Sequence, residues 1–191
     1  MAYNLGTNIG AVENGNPTGQ AYATKIIRTL QLSTTLTANA ISTNGCILAS
    51  DGTDLGYKAI SVTTPYMNGT KPKHLTIQNV RVSTNSTGLY ASGMGVIILP
   101  SIPTGVFNRS NCQLGANTSS LNMAYLYQTA SVWVAFSSDT YRTGLYPLNQ
   151  IISTSNNSDI TNLYVILLLG TTAFTPVAGT IVNIQIDVNF E

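Results

Sequence analysis

Charge is what this sequence has least of. Only 8% of its 191 residues are Asp, Glu, Lys or Arg, and eight basic against seven acidic side chains leave a net charge of +1. An ordinary soluble domain carries about 25% of such residues. The polar surface must therefore be built from Ser, Thr, Asn, Gln and Tyr, and electrostatic repulsion between copies is nearly absent. Such a surface suits a chain packed against copies of itself, or one outside the cell. The basic residues Lys25, Arg28, Lys58, Lys71, Lys73, Arg81, Arg109 and Arg142 are scattered. Neutralising a phosphate backbone takes several of them together. Lys71, Lys73 and Arg81 form the one loose cluster, which reads as a solvated strand edge.

Other absences exclude particular chemistries. The single histidine, His74, has no acid near it in sequence, and no Gly-x-Ser-x-Gly occurs, so a serine-histidine triad is not expected. One His and two distant Cys speak against zinc. Cys46 and Cys112 can form at most one bridge, and a chain of this length needs no disulfide framework; two small buried thiols are expected. The longest apolar run, Tyr164–Leu169, is too short to cross a bilayer as a helix. Met1-Ala-Tyr-Asn-Leu-Gly6 lacks the basic start and apolar run of a secretory signal, so none is expected. Gly93-Met-Gly95 stands before a strand and reads as a turn, not a phosphate loop.

What is present is period two. From Val182 to Phe190 every even position is apolar and every odd one polar, which marks a strand with one buried face. Leu30, Leu32 and Leu36 alternate with polar residues in another strand. Leu75 and Ile77 alternate, then the phase slips across Asn79 to Val80 and Val82, predicting a β-bulge. Gly95–Pro100 and Tyr164–Leu169 are continuous apolar runs, suited to strands covered on both faces. Ser131–Phe136 is a further strand with Trp133 as a core anchor. Weaker strands are read at Cys46–Ala49, Ala59–Thr63 and Leu148–Ile152. No sustained 3.6-residue stripe appears, so helix is nearly excluded. About eight strands, with long connections at 100–122 and 138–147, predict an all-β, antiparallel two-sheet sandwich, a single jelly roll. The expected division is an extended N-terminal arm over 1–20 and the sandwich over 21–191.

The stretch Thr175-Pro-Val-Ala-Gly-Thr-Ile-Val-Asn-Ile-Gln-Ile-Asp-Val-Asn-Phe190 resembles the end of small viral coat proteins with a jelly-roll domain. There a Gly-led turn feeds a final alternating strand that ends in an acidic or polar residue plus an aromatic. The strand Leu163–Leu169 before it is similar to the penultimate strand of that fold. The likeness covers about the last 30 residues and, beyond them, the rhythm of strands and turns. It implies a virion structural protein, a capsid subunit that assembles with copies of itself and with other virion proteins. From the absences above, no enzyme, no cofactor and no membrane span are expected. One departure is the lack of the Arg/Lys-rich N-terminal arm that many such coats carry. Two alternatives share the same composition: the receptor- or glycan-binding head of a phage spike or fibre, and an extracellular filament subunit. The missing signal weighs against the latter.

Few residues invite a site. Asp51 and Asp54, in Asp51-Gly-Thr-Asp54, are candidate calcium ligands, and a polar turn is the plainer account. Tyr125, Tyr127, Tyr141 and Tyr146 lie close enough in sequence to flank one surface, as protein or sugar contacts do. The assembly contacts are expected in the connections after residues 100 and 138, with the N-terminal arm reaching a neighbour. The dispersed basic residues predict weak nucleic-acid binding, with dissociation constants of about micromolar or above at physiological salt. Fluorescence anisotropy with single- and double-stranded oligonucleotides checks this; tight binding that falls steeply with salt would contradict it.

Overall fold

The computed structural model describes residues 9–13, 16–22, 26–48, 56–62, 72–116, 124–128, 133–135, 142–170 and 172–190. Within them lie β1 (Ile9–Glu13), β2 (Asn16–Tyr22), β3 (Ile26–Thr35), β4 (Lys58–Ser61), β5 (His74–Thr84), α1 (Thr87–Ala91) and β6 (Met94–Leu99). They continue with β7 (Gly105–Phe107), β8 (Cys112–Leu114), β9 (Ala124–Gln128), β10 (Trp133–Ala135), β11 (Arg142–Ser153), β12 (Asn162–Leu169) and β13 (Ile181–Phe190). One five-stranded sheet runs β10-β11-β5-β13-β3, and one four-stranded sheet runs β4-β12-β6-β9.

The pairing is nested. Taking β3, β4, β5, β6, β9, β11, β12 and β13 as the main strands, the first pairs with the last and the second with the seventh. The third then pairs with the sixth and the fourth with the fifth, all antiparallel. These four pairs alternate between the two sheets, and the contacts β13–β5 and β12–β6 close each sheet. A two-stranded ribbon wound in this way is a jelly roll. The expected fold class is the observed one.

Alternation sets the core. Val182, Ile184, Ile186 and Val188 of β13 point inward with Leu75, Ile77, Val80 and Val82 of β5, and all eight are fully buried. They meet Val96 and Ile98 of β6 and Leu163, Val165, Leu167 and Leu169 of β12 in one apolar cluster. The bulge read from the phase slip is present. Ile77 lies opposite Val188 and Asn79 opposite Asp187, so Gln78 is the extra residue. Across β5 on its other side, β11 skips Leu148 and Asn149, and Asn149 takes a left-handed φ of 46°.

Two connections differ from expectation. The strand read from Leu148 begins at Arg142, because β5 is eleven residues long and residues Thr84 to Asn79 pair with Arg142 to Pro147. Backbone N–H and C=O groups seek such partners whatever the side-chain pattern. The 100–122 connection contains the β7–β8 hairpin, with Phe107 opposite Cys112. Near the N-terminus β1 and β2 pair as a hairpin of their own, Ile9 opposite Tyr22 and Glu13 opposite Asn16.

The bulge yields a length test. Deleting Gln78 leaves Leu75 and Ile77 in phase with Val80 and Val82, so the fold should persist. Deleting Thr76 instead turns Leu75 outward and should cost about 2–3 kcal/mol, the value of burying one leucine. Urea unfolding of both deletion variants measures the difference.

Candidate functional site

The two sheets present outer faces of opposite character. In the four-stranded sheet, Ile97 and Leu99 of β6 and Tyr164 and Ile166 of β12 occupy the positions that alternate with the inner core. Ile97, Leu99 and Ile166 are buried there nonetheless. Their cover is the β7–β8 hairpin, while the segment 44–48 lies beside β12 at the sheet edge, Cys46 bridged to Leu168 and the Ile47 N–H donating to the Leu167 carbonyl. Phe107, Cys46, Tyr57, Cys112 and Leu114 join them in a second apolar cluster. The Tyr57 ring stands edge-on to both Phe107 (5.8 Å) and Tyr164 (5.7 Å). The expectation that these apolar runs are covered on both faces is met, and the second cover comes from a connection.

Several interactions hold that cover. The backbone N–H of Cys46 donates to the Asn108 carbonyl (2.8 Å), that of Ser42 to Arg109 (2.8 Å) and that of Gly56 to Phe107 (3.0 Å). The Arg109 guanidinium is buried and donates from Nη2 to Thr37 Oγ1 at 3.2 Å. Cys46 and Cys112 form a disulfide, their Cα atoms 5.2 Å apart across a separation of 66 residues. This corrects the expectation of two free thiols. Composition shows only that one bridge is available, while the fold sets the hairpin's Cys112 over the buried Cys46. Closing a loop of that length stabilises by about 4 kcal/mol on the chain-entropy account. Gly56 lies beneath the bond: a Cβ there would sit 2.6 Å from Cys46 Cβ and 2.7 Å from its sulfur.

Across β3, β13 and β5 the outer face of the five-stranded sheet is polar, and on β11 it also carries the exposed Ile151. Register aligns Ser33, Asn183 and Ser83 in one row across β3, β13 and β5; Gln31, Gln185 and Arg81 in the next; and Thr29, Asp187 and Asn79 in a third. Two charged side chains in these rows are tied to neutral neighbours, Arg81 Nη1 donating to Gln185 Oε1 (3.0 Å) and Thr29 Oγ1 to Asp187 Oδ1 (2.7 Å). A shallow hollow of about 250 Å³ lies on this face, lined by Gln31, Ser33, Ser83, Asn183 and Gln185. Farther along, Asn189 is fully buried and its amide makes no hydrogen bond among the described residues. A second hollow of about 250 Å³ separates Asn85–Thr87 from Val177–Thr180 at one end of the sandwich. Asn85 spans it, its Nδ2 donating to the Gly179 carbonyl and its Oδ1 accepting from the Ile181 N–H.

Among the described residues, those singled out from sequence fall on several elements. His74 is exposed at the start of β5, opposite Ser153. Lys73 is exposed beside it, and Arg81 lies eight residues on, roughly 25 Å at strand rise. Lys71, Asp51, Asp54 and Tyr141 lie outside the described residues. Tyr125 and Tyr127 fall on β9 and Tyr146 on β11. Among the described residues no three His, Cys, Asp or Glu side chains gather as a metal-binding set. The polar rows across β3, β13 and β5 were the feature that residue-by-residue reading missed. Their signal is the unbroken run of polar odd positions in β13.

No protein-family model and no curated protein matches the chain. Among solved structures it is similar to that of Desmodium yellow mottle tymovirus, with 14% identity over 100% of this chain and 92% of that one and a TM-score of 0.27. It is similar to that of black queen cell virus, with 12% identity over 100% and 82% and a TM-score of 0.30. A third likeness is to a 60-mer BFDV capsid protein, with 11% identity over 89% and 96% and a TM-score of 0.23. The resemblance to jelly-roll viral coat proteins is generic, and the fold assignment rests on the nested strand pairing.

The crowded glycine gives a direct test of the cover. Gly56→Ala drives a methyl into Cys46 and should cost about 1–3 kcal/mol by overpacking, with increased proteolysis within residues 105–114. Thermal melts and peptide mapping read both effects.

Proposed function

We propose that this chain is a capsid subunit that assembles with copies of itself into a virion shell, with no catalytic role. The observation that carries this reading is the outer face of the five-stranded sheet. It is tiled by amides and hydroxyls, and its Arg81 and Asp187 are already hydrogen-bonded to neutral neighbours. Desolvating such a face costs less than desolvating ions, and like copies do not repel. Symmetry then repeats one modest contact many times, and the contacts sum to a stable particle. The jelly roll supports the reading by offering a rigid block with flat sides and loops at its ends.

The N-terminal stretch is assigned a second role, reaching a neighbouring subunit. Its β1–β2 hairpin pairs only within itself among the described sheets. The connection after residue 100 contributes through its exposed Ile102 and Val106, while Phe107, Cys112 and Leu114 of its hairpin are turned onto its own sheet. Other virion proteins are the remaining partners.

The test places like charges on the tiled face. Ser33→Glu with Asn183→Glu sets two carboxylates opposite each other on neighbouring strands, a destabilising arrangement worth about 0.2–1 kcal/mol within one subunit but repeated at every contact. Wild type should sediment as large particles visible in electron micrographs, and the double variant as folded small species with an unchanged strand spectrum. Deleting residues 2–22 should likewise leave the sandwich folded and weaken assembly. Wild type that stays monomeric at high concentration would refute the proposal. A monomer or trimer that binds a defined glycan would favour the spike-head reading.

A further inference from the structure

We infer that the Cys46–Cys112 bond is a redox latch, made after the sandwich has folded and controlling only the hairpin that covers the four-stranded sheet. The two cysteines belong to the smaller of two apolar clusters. The large cluster that holds the sheets together contains neither of them. Three backbone hydrogen bonds, from Ser42, Cys46 and Gly56 to the hairpin residues Arg109, Asn108 and Phe107, bring the hairpin to the sheet without help from sulfur. The fold therefore sets the two thiols side by side before any bond joins them.

The two sulfurs are not equivalent. Cys46 is fully buried, and Cys112 is half-buried on the edge of the hairpin. A small-molecule disulfide from the surroundings therefore meets Cys112 first. The Cys112 thiolate attacks one sulfur of that reagent, releasing one small thiol and leaving a mixed disulfide on Cys112. The Cys46 thiol then gives up its proton and attacks the Cys112 sulfur. The second small thiol leaves, and the bond closes. In sum, two protein thiols and one small disulfide become one protein disulfide and two small thiols. In reducing surroundings the hairpin is held by hydrogen bonds and apolar contact alone; in oxidising surroundings it is locked.

The experiment uses the full chain in three forms: oxidised, reduced under native conditions, and Cys46→Ala/Cys112→Ala. Hydrogen-exchange mass spectrometry is expected to show β3, β5, β6, β12 and β13 as the most protected segments in all three, with the loss of the 66-residue loop closure lowering global stability but leaving the strands folded. Exchange within 105–114 and 42–48 should rise by about tenfold or more in the reduced and alanine forms. With limiting maleimide on the reduced protein, Cys112 should label about tenfold or more faster than Cys46. The latch is overturned if the sandwich strands exchange as fast as the hairpin once the bond is open, or if the alanine form does not fold. It is equally overturned if hairpin exchange is unchanged or the two cysteines label at one rate. The readouts come from the subunit itself, so they stand apart from the outcome of the assembly test.

Discussion

The requirement on which the structure turns is that β6 and β12 are apolar on both faces. Val96, Ile98, Val165 and Leu167 face the sandwich interior, while Ile97, Leu99 and Ile166 face the other way and are also buried. A two-layer sandwich covers only one side of such strands. Leaving a large side chain such as Leu or Ile in water forfeits about 1.5–3 kcal/mol each, so a third layer has to be found within the chain. The connection between β6 and β9 supplies it by folding back as the β7–β8 hairpin. The close approach then demands glycine at positions 45 and 56, because a Cβ at either would collide with Arg109 or Cys46. The disulfide follows from the same approach.

That solution makes the molecule asymmetric. One sheet is sealed by its own chain, and the other shows rows of Ser, Thr, Asn and Gln across β3, β13 and β5. Both outcomes follow from the composition: with few ions available, apolar surface is buried internally and the remaining surface is neutral and hydrogen-bonding. A neutral face is cheap to dry, which is the property the proposed assembly draws on. Among the described residues, His74 and Lys73 sit at one end of β5 while Arg81 lies well along it.

The connections divide in the same terms. The stretch after residue 100 reads as a loop because Gly, Pro, Asn and Ser punctuate it, yet Phe107, Cys112 and Leu114 are spaced to place one apolar side of a short hairpin on the sheet. The stretch before Leu148 reads as a loop for the same reason, and it is strand because β5 offers it backbone partners. Ladder hydrogen bonds are blind to side-chain type, and periodicity analysis sees only side chains.

Local pattern alone determined the all-β class, the inward faces of β5 and β13, the bulge near Asn79 and the double burial of β6 and β12. Each of these depends on period two, which is written in consecutive residues. Tertiary structure alone decided which strand lies beside which, that the second cover of β6 and β12 is the β7–β8 hairpin, and that Cys46 meets Cys112. It also decided that Gln31, Gln185 and Arg81 share a row, although 104 residues separate Arg81 from Gln185. Those facts depend on how a nested ribbon is wound, and winding is set by the summed burial of distant segments, which no window of neighbouring residues contains.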